Sequence, residues 1–146
     1  MIQNLETGEV YPLEGLQHPW LDSRPNWSPD DRQIAFYSTR PLSNTPSISP
    51  TGNIFVSTVI SNGTKPVAGA PVAYTDGVDG KHHAYPDWSP DGSKIAFQTS
   101  RHAGATSGAG WEIYVTDARE QNRTLIRLTN FDANSDNEPV NNMRPA

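Results

Sequence analysis

Pro25-Asn26-Trp27-Ser28-Pro29-Asp30-Asp31-Arg32-Gln33-Ile34-Ala35-Phe36-Tyr37-Ser38-Thr39-Arg40 aligns without a gap on Pro86-Asp87-Trp88-Ser89-Pro90-Asp91-Gly92-Ser93-Lys94-Ile95-Ala96-Phe97-Gln98-Thr99-Ser100-Arg101, 61 residues downstream. An internal repeat of this kind decides the fold class before any single element is considered. Ser89-Pro90-Asp91-Gly92 is turn chemistry. The proline presets φ, the aspartate suits the next position, and the glycine accepts a left-handed backbone. In the first copy Asp31 stands where that glycine belongs. Asp tolerates positive φ better than most residues, so the turn is expected to survive at some cost. After each turn Ile and Phe share one face and Ala takes the other, the period-two signature of a strand. A small Ala in that place suits a sheet packed on both sides.

The similarity extends in both directions. Ile54-Phe55-Val56 answers Ile113-Tyr114-Val115, and Val72-Ala73-Tyr74-Thr75 answers Ile126-Arg127-Leu128-Thr129. Residues 2–13 read as the second half of a preceding unit, and Met143-Arg144-Pro145-Ala146 matches Ser23-Arg24-Pro25-Asn26. Each unit therefore reads as four short strands: one running into the tryptophan, then 33–38 or 94–99, then 53–58 or 111–117, then 72–75 or 125–129. Asn62-Gly63 between the last two strands of the first unit is a strong hairpin signal. Sustained helical periodicity is absent, so the chain is expected to be all-β, in four-stranded antiparallel meanders.

Composition fits this reading. Gly and Pro together number 24 of 146 residues (11 and 13), which favours turns over long helices. Leu, Ile, Val and Phe number only 27. Paired with a high charge that share would point to disorder, but the net charge is −5. The shortfall is instead explained by long polar loops diluting an alternating core. The absence of cysteine excludes disulfides and thiolate chemistry. No apolar run is long enough for a membrane span, the first residues lack the pattern of a signal peptide, and the mild acidity gives no reason to expect nucleic acid.

The run Trp-Ser-Pro-Asp-Gly-x-x-Ile-Ala-Phe, followed by Ile-Tyr-Val and Arg-Leu-Thr, resembles the WD40-like PD40 repeats of TolB-type β-propellers. The resemblance covers essentially the whole chain. It implies four-stranded blades around a central channel with the first strand innermost, and a secreted or periplasmic setting. It also implies a docking role for protein partners, or a gating or accessory role in prolyl-oligopeptidase-like hydrolases and oligogalacturonate lyases. The repeat here is about 60 residues against ~40–50 for a usual blade, and about two and a half blades fall short of the ~4–8 that close a ring. The expectation is a partial propeller: 1–21 the end of one blade, 22–80 and 81–142 two whole blades, 143–146 the start of another. Further blades, from this or another chain, would complete it.

In a four-stranded meander the long connections 14–22, 41–52, 76–84, 102–110 and 130–142 gather at one end, and loops on a rigid scaffold are the usual home of binding. His18, Trp20, His82, His83, Tyr85, His102 and Trp111 lie at or beside that end. They are the candidates for a face that binds protein, or else peptide or glycan. Polar residues also collect in loops for no functional reason. Trp27 and Trp88 precede the tight turn and are assigned to packing between units, alongside the turn residues Ser28, Pro29, Asp30, Ser89, Pro90, Asp91 and Gly92. Arg40 and Arg101 occupy equivalent positions and read as structural ion-pair formers, with a motif aspartate among the available partners, rather than as ligands for a carboxylate or phosphate.

No metal or cofactor is expected. His82 and His83 are adjacent in a strand and point to opposite faces, a poor arrangement for one ion. Asp132, Asn134 and Asp136 match the start of a calcium loop, but Asn137 replaces the turn glycine and Met143 the closing glutamate, so they read as a solvated loop. Catalytic signatures are missing as well. Gly104-Ala105-Thr106-Ser107-Gly108 has the wrong spacing for a nucleophile elbow, and no His-Glu-x-x-His or phosphate loop occurs. The expected activity is binding, not catalysis.

Overall fold

The computed structural model describes residues 1–13, 19–42, 51–61, 65–75, 80–101, 111–119 and 124–129. They form eleven strands and no helix: β1 (Ile2–Gln3), β2 (Val10–Tyr11), β3 (Asp22–Trp27), β4 (Gln33–Ser38), β5 (Asn53–Ser61), β6 (Pro66–Ala68), β7 (Val72–Ala73), β8 (His83–Trp88), β9 (Lys94–Thr99), β10 (Glu112–Asp117) and β11 (Ile126–Arg127). The all-β expectation holds, and among the described residues no helix is long and apolar enough to cross a membrane.

Every pairing is antiparallel. β1 and β2 make a short hairpin. The second repeat is a plain meander in the order β8-β9-β10-β11. The first repeats that order as β3-β4-β5-β7 and adds β6. The expected strand 53–58 runs on to Ser61, where it pairs with β6 through Ile60↔Val67 and Ser61↔Pro66. An arm thus extends beyond the sheet before β7 returns to pair with Phe55 and Val56. Asn62 and Gly63, the hairpin signal, fall between β5 and β6 but outside the described residues. His18, His102, Asp132, Asn134, Asp136 and the segment 143–146 also lie outside the described residues.

Alternation within each strand builds two cores. Ile34, Phe36 and Phe55 face the β1–β2 hairpin, where Ile2, Leu13, Val59 and Ala73 pack on them. On the opposite face Ala35, Ile54, Val56 and Tyr74 meet Trp88, Ile95, Phe97, Tyr114 and Ala118 of the second repeat. Ala35 is wholly buried between the two layers, in accord with the expectation drawn from its size. The sheets are held together by polar bonds as well. Tyr74 donates its hydroxyl to the Ala118 carbonyl at 2.9 Å, and the His83 N–H bonds to the Gly52 carbonyl at 2.9 Å. A Cβ on Gly52 would coincide with the Tyr37 ring, so only glycine fits beneath it.

The two tight turns share one hydrogen-bond scheme. The Asp31 N–H donates to the Ser28 carbonyl and the Gly92 N–H to that of Ser89, at 3.0 and 2.9 Å. The serine hydroxyl accepts the N–H of Gln33 or Lys94, each at 2.9 Å, and donates to the carboxylate of Asp30 or Asp91, each at 2.6 Å. That carboxylate in turn accepts the N–H of Arg32 or Ser93. Asp31 has φ of 57° and Gly92 66°, so the aspartate does adopt the left-handed conformation expected of it.

Candidate binding face

Strands β3, β5, β8 and β10 start, and β4 and β9 end, at the same end of the molecule, the end that carries the long connections. Trp20, His82 and Trp111 are there and partly or wholly exposed, with the His82 and Trp111 rings 6.4 Å apart. His83 is different. Strand alternation turns it inward, where it is fully buried and set edge-on against Phe97 at 5.7 Å. It packs in the second sheet and does not belong to an exposed face.

Charged side chains at this end are mostly committed to the fold. Arg40 pairs with Asp22 at 2.9 Å and lies over the rings of Phe36 and Phe55 at 5.3 and 5.2 Å, closing the end of that core. Its partner is the first residue of β3, not the turn aspartate, which sits at the opposite end. Arg101, its counterpart, is half-buried and bonds through its N–H to the Thr99 hydroxyl, as Arg40 does to Ser38. Glu112 is buried and ion-paired with Arg127. Thr75 and Thr129 repeat a further device: each hydroxyl accepts the N–H of the second residue of its neighbouring strand, Ile54 of β5 or Ile113 of β10.

Tyr85 lies in a feature that periodicity does not reveal. In β3 the register slips between Ser23 and Asn26, and in β8 between Ala84 and Asp87. Two residues, Arg24-Pro25 or Tyr85-Pro86, oppose one on the neighbouring strand, which defines a bulge. Arg24 and Tyr85 take φ of 56° and 53°, left-handed values rare for such side chains. The Arg24 guanidinium lies 4.5 Å over the Tyr85 ring. Since β3 and β8 are the outer strands of their ladders among the described residues, this pair sits along a sheet edge. The sequence signal that could have found it is the Arg-Pro and Tyr-Pro pair at equivalent repeat positions, inside a segment otherwise read as a plain strand.

The tryptophans differ in exposure. Trp88 is buried between the sheets and donates its indole N–H to the Asn26 carbonyl at 3.3 Å. Trp27, at the equivalent place, is 40% exposed. It pairs with Ile34 on the face that, among the described residues, the β1–β2 hairpin approaches, where a cavity of about 260 Å³ is lined by Ile2, Leu13, Pro25, Ile34 and Phe36. A second cleft, of about 290 Å³, separates the two Ser-Pro-Asp turns, with Asp30, Asp91 and Arg119 on its walls. The serine hydroxyl, followed by a backbone N–H, holds both aspartates below the usual carboxylate range. Among the described residues no three His, Asp or Glu side chains gather as metal ligands.

No protein-family model matches the chain. Over 129 residues, 88% of its length, the chain is 29% identical to dipeptidyl-peptidase 5 of Porphyromonas gingivalis, and the match spans 17% of that protein. The chain is therefore similar to one part of a much longer peptidase.

Proposed function

We propose that this chain is a non-catalytic β-propeller segment that serves as the binding, accessory part of a peptidase-type protein. The blade reading rests on one observation: the sheets stack with equivalent positions in contact. Asn26 bonds to Asp87 and Arg24 covers Tyr85, each pair 61 residues apart. Contact between like positions of successive units is what a rotation from one unit to the next generates, and such stacking propagates. The first strands, β3 and β8, lie side by side, as the inner strands of neighbouring blades do. The face of the first sheet that the second covers is built from Ala35, Ile54, Val56 and Tyr74. Its counterpart on the second sheet, Ala96, Ile113, Val115 and Leu128, is partly or largely exposed and offers the same seat to a further repeat.

The peptidase setting rests on the partial similarity to dipeptidyl-peptidase 5. The sequence carries no nucleophile elbow, so the segment's own contribution is recognition through the loop end, in a periplasmic or secreted protein. The test is the complete gene product. Dipeptide release from a model peptide is measured for the full polypeptide and for residues 1–146 alone. Hydrolysis by the former and none by the latter is the expected result. A full polypeptide of further Trp-Ser-Pro-Asp repeats with no hydrolase region would replace the peptidase setting with a free-standing TolB-like scaffold. Hydrolysis by 1–146 alone would overturn the non-catalytic reading.

A further inference from the structure

We propose that Arg24, stacked on Tyr85 along the bulged edge of β3 and β8, is an anchor for a ligand carboxylate. This deepens the binding reading by naming a residue and the chemistry it recognises. Three observations carry it. The first is backbone strain. Both residues hold left-handed φ and both precede proline, which further restricts their backbone. A non-glycine residue in this region is strained, and such positions cluster at functional sites, where the surrounding structure holds them. Glycine would support the same bulge without strain, so the bulge alone does not account for a large side chain in both repeats.

The second observation is that the guanidinium is uncommitted. Arg40 is bound to Asp22, Arg127 to Glu112, and Arg119 to the Asp91 carbonyl. Arg24 is exposed, and among the described residues its guanidinium makes no hydrogen bond or ion pair, only the contact with the Tyr85 ring. Among the described residues, the acids on the same two strands are already engaged, Asp22 with Arg40 and Asp87 with the Asn26 amide at 2.8 Å.

The third is orientation. Tyr85 takes one face of the guanidinium, which leaves its in-plane N–H donors pointing outward around the rim. That fork matches a carboxylate through two parallel bonds, and stacking fixes it before the ligand arrives. A single cation with Asp22 and Asp87 on the same strands favours a singly charged anion over a phosphate dianion. The carboxylate can come from a peptide C-terminus or from an acidic side chain.

The full-length protein, isotope-labelled at arginine, is titrated with acetyl-dialanine, its C-terminal amide, acetyl-aspartate amide and inorganic phosphate while the Arg24 Nε–H resonance is followed. A saturable shift with acetyl-dialanine and none with its amide is the expected result. A comparable shift with acetyl-aspartate amide identifies the side chain as an equally good source. Arg24→Gln should weaken binding roughly tenfold or more, the loss of one charge-assisted bidentate contact. Arg24→Gly removes the guanidinium while relieving the backbone, so it separates lost recognition from lost folding, and it should bind no better than the glutamine variant. Tyr85→Leu should weaken binding by a smaller factor. Equal response to the amide, tighter binding of phosphate, or unchanged affinity in Arg24→Gly would overturn the proposal. None of these results bears on dipeptide release, so the site and the peptidase setting can fail separately.

Discussion

The Asn26 side-chain amide donates to the Asp87 carboxylate at 2.8 Å, and the two residues hold the same position in successive repeats. Immediately beside them the Trp88 indole bonds back to the Asn26 carbonyl. One residue of the first sheet thus binds two consecutive residues of the second, and the register between the sheets is fixed at this point. The bond is partly buried and has a charged acceptor, so its loss should cost about 1–2 kcal/mol. Asn26→Ala and Asp87→Ala should each lower the urea midpoint by that measure. The double variant should cost clearly less than the sum of the two, because the pair acts as a unit. Strict additivity would show that the bond contributes nothing to stacking.

Asp31 and Gly92 offer a matched comparison within one chain. Both close a Ser-Pro-Asp turn with left-handed φ, but only the glycine does so freely. Asp31→Gly should therefore stabilise the protein by about 0.5–1 kcal/mol, somewhat offset by the added freedom of the unfolded chain. Gly92→Asp should destabilise it by a similar amount, since a Cβ there meets only ordinary contact with Pro29. Thermal unfolding of the two variants decides the point. A fall in midpoint for Asp31→Gly would show that the aspartate side chain earns its place by some other contact.

Much of this architecture was legible in the sequence because it is local and periodic. Ile34, Ala35 and Phe36 announce a strand buried on both faces, and Ser-Pro-Asp announces the turn. What the sequence hid depends on partners far along the chain. Asp22 becomes the partner of Arg40 only once β3 lies beside β4, and nothing local marks it. The arm of β5 and β6 escapes the repeat because the matched run in this strand is Ile54–Val56, and nothing in the second copy answers the extension to Ser61 or the added strand Pro66–Ala68. The bulges leave no mark in the pattern because a two-residue period tolerates one inserted residue without an obvious break. His82 and His83 both lie at the loop end, which is why the sequence places both on the candidate face, but the alternation that turns them to opposite sides buries His83.

Gly52 and Tyr37 make a steric prediction. The ring covers the glycine so closely that any Cβ must displace it. Overpacking of this kind costs about 1–3 kcal/mol. Here it would also disturb the Gly52 carbonyl, which accepts the His83 N–H from the second sheet. Gly52→Ala should therefore lower stability and loosen the intersheet contact together. Gly52→Ala combined with Tyr37→Ala should recover part of the loss, as unfolding by urea would reveal. No recovery would mean that the backbone, not the ring, is the obstacle.

The turn aspartates make a prediction about acid. Ser28 and Ser89 donate to Asp30 and Asp91 and hold both carboxyls below their ordinary values. The folded state consequently binds fewer protons than the unfolded chain in this range. Their stabilisation is complete above the unfolded value of about 3.9 and is lost as pH falls through the lower folded values. Between neutrality and about pH 4 these groups should leave the midpoint unchanged. Below that it should fall, and less steeply in an Asp30→Asn, Asp91→Asn double variant, whose amides keep the acceptor oxygen but do not titrate. Parallel curves for the two proteins from pH 5 to pH 2 would remove these turns from the acid response.

The uncovered face of the second sheet sets the behaviour of the 146-residue chain in isolation. Ile126 and Leu128 are 51% and 59% exposed, and Val115 beside Ile126 is only partly covered. On the first sheet the matching surface is sealed by Trp88, Ile95 and Phe97 of the next repeat. An apolar sheet face left open drives association, since burying one such side chain is worth about 1.5–3 kcal/mol. Sizing by light scattering should therefore show growth in mass as concentration rises. Leu128→Lys with Val115→Thr should shift that growth to higher concentration without loss of β-structure by circular dichroism. A wild-type chain that stays at 16.0 kDa throughout would show that this face is closed by residues of the chain itself. The seat for a further repeat would then have to be abandoned.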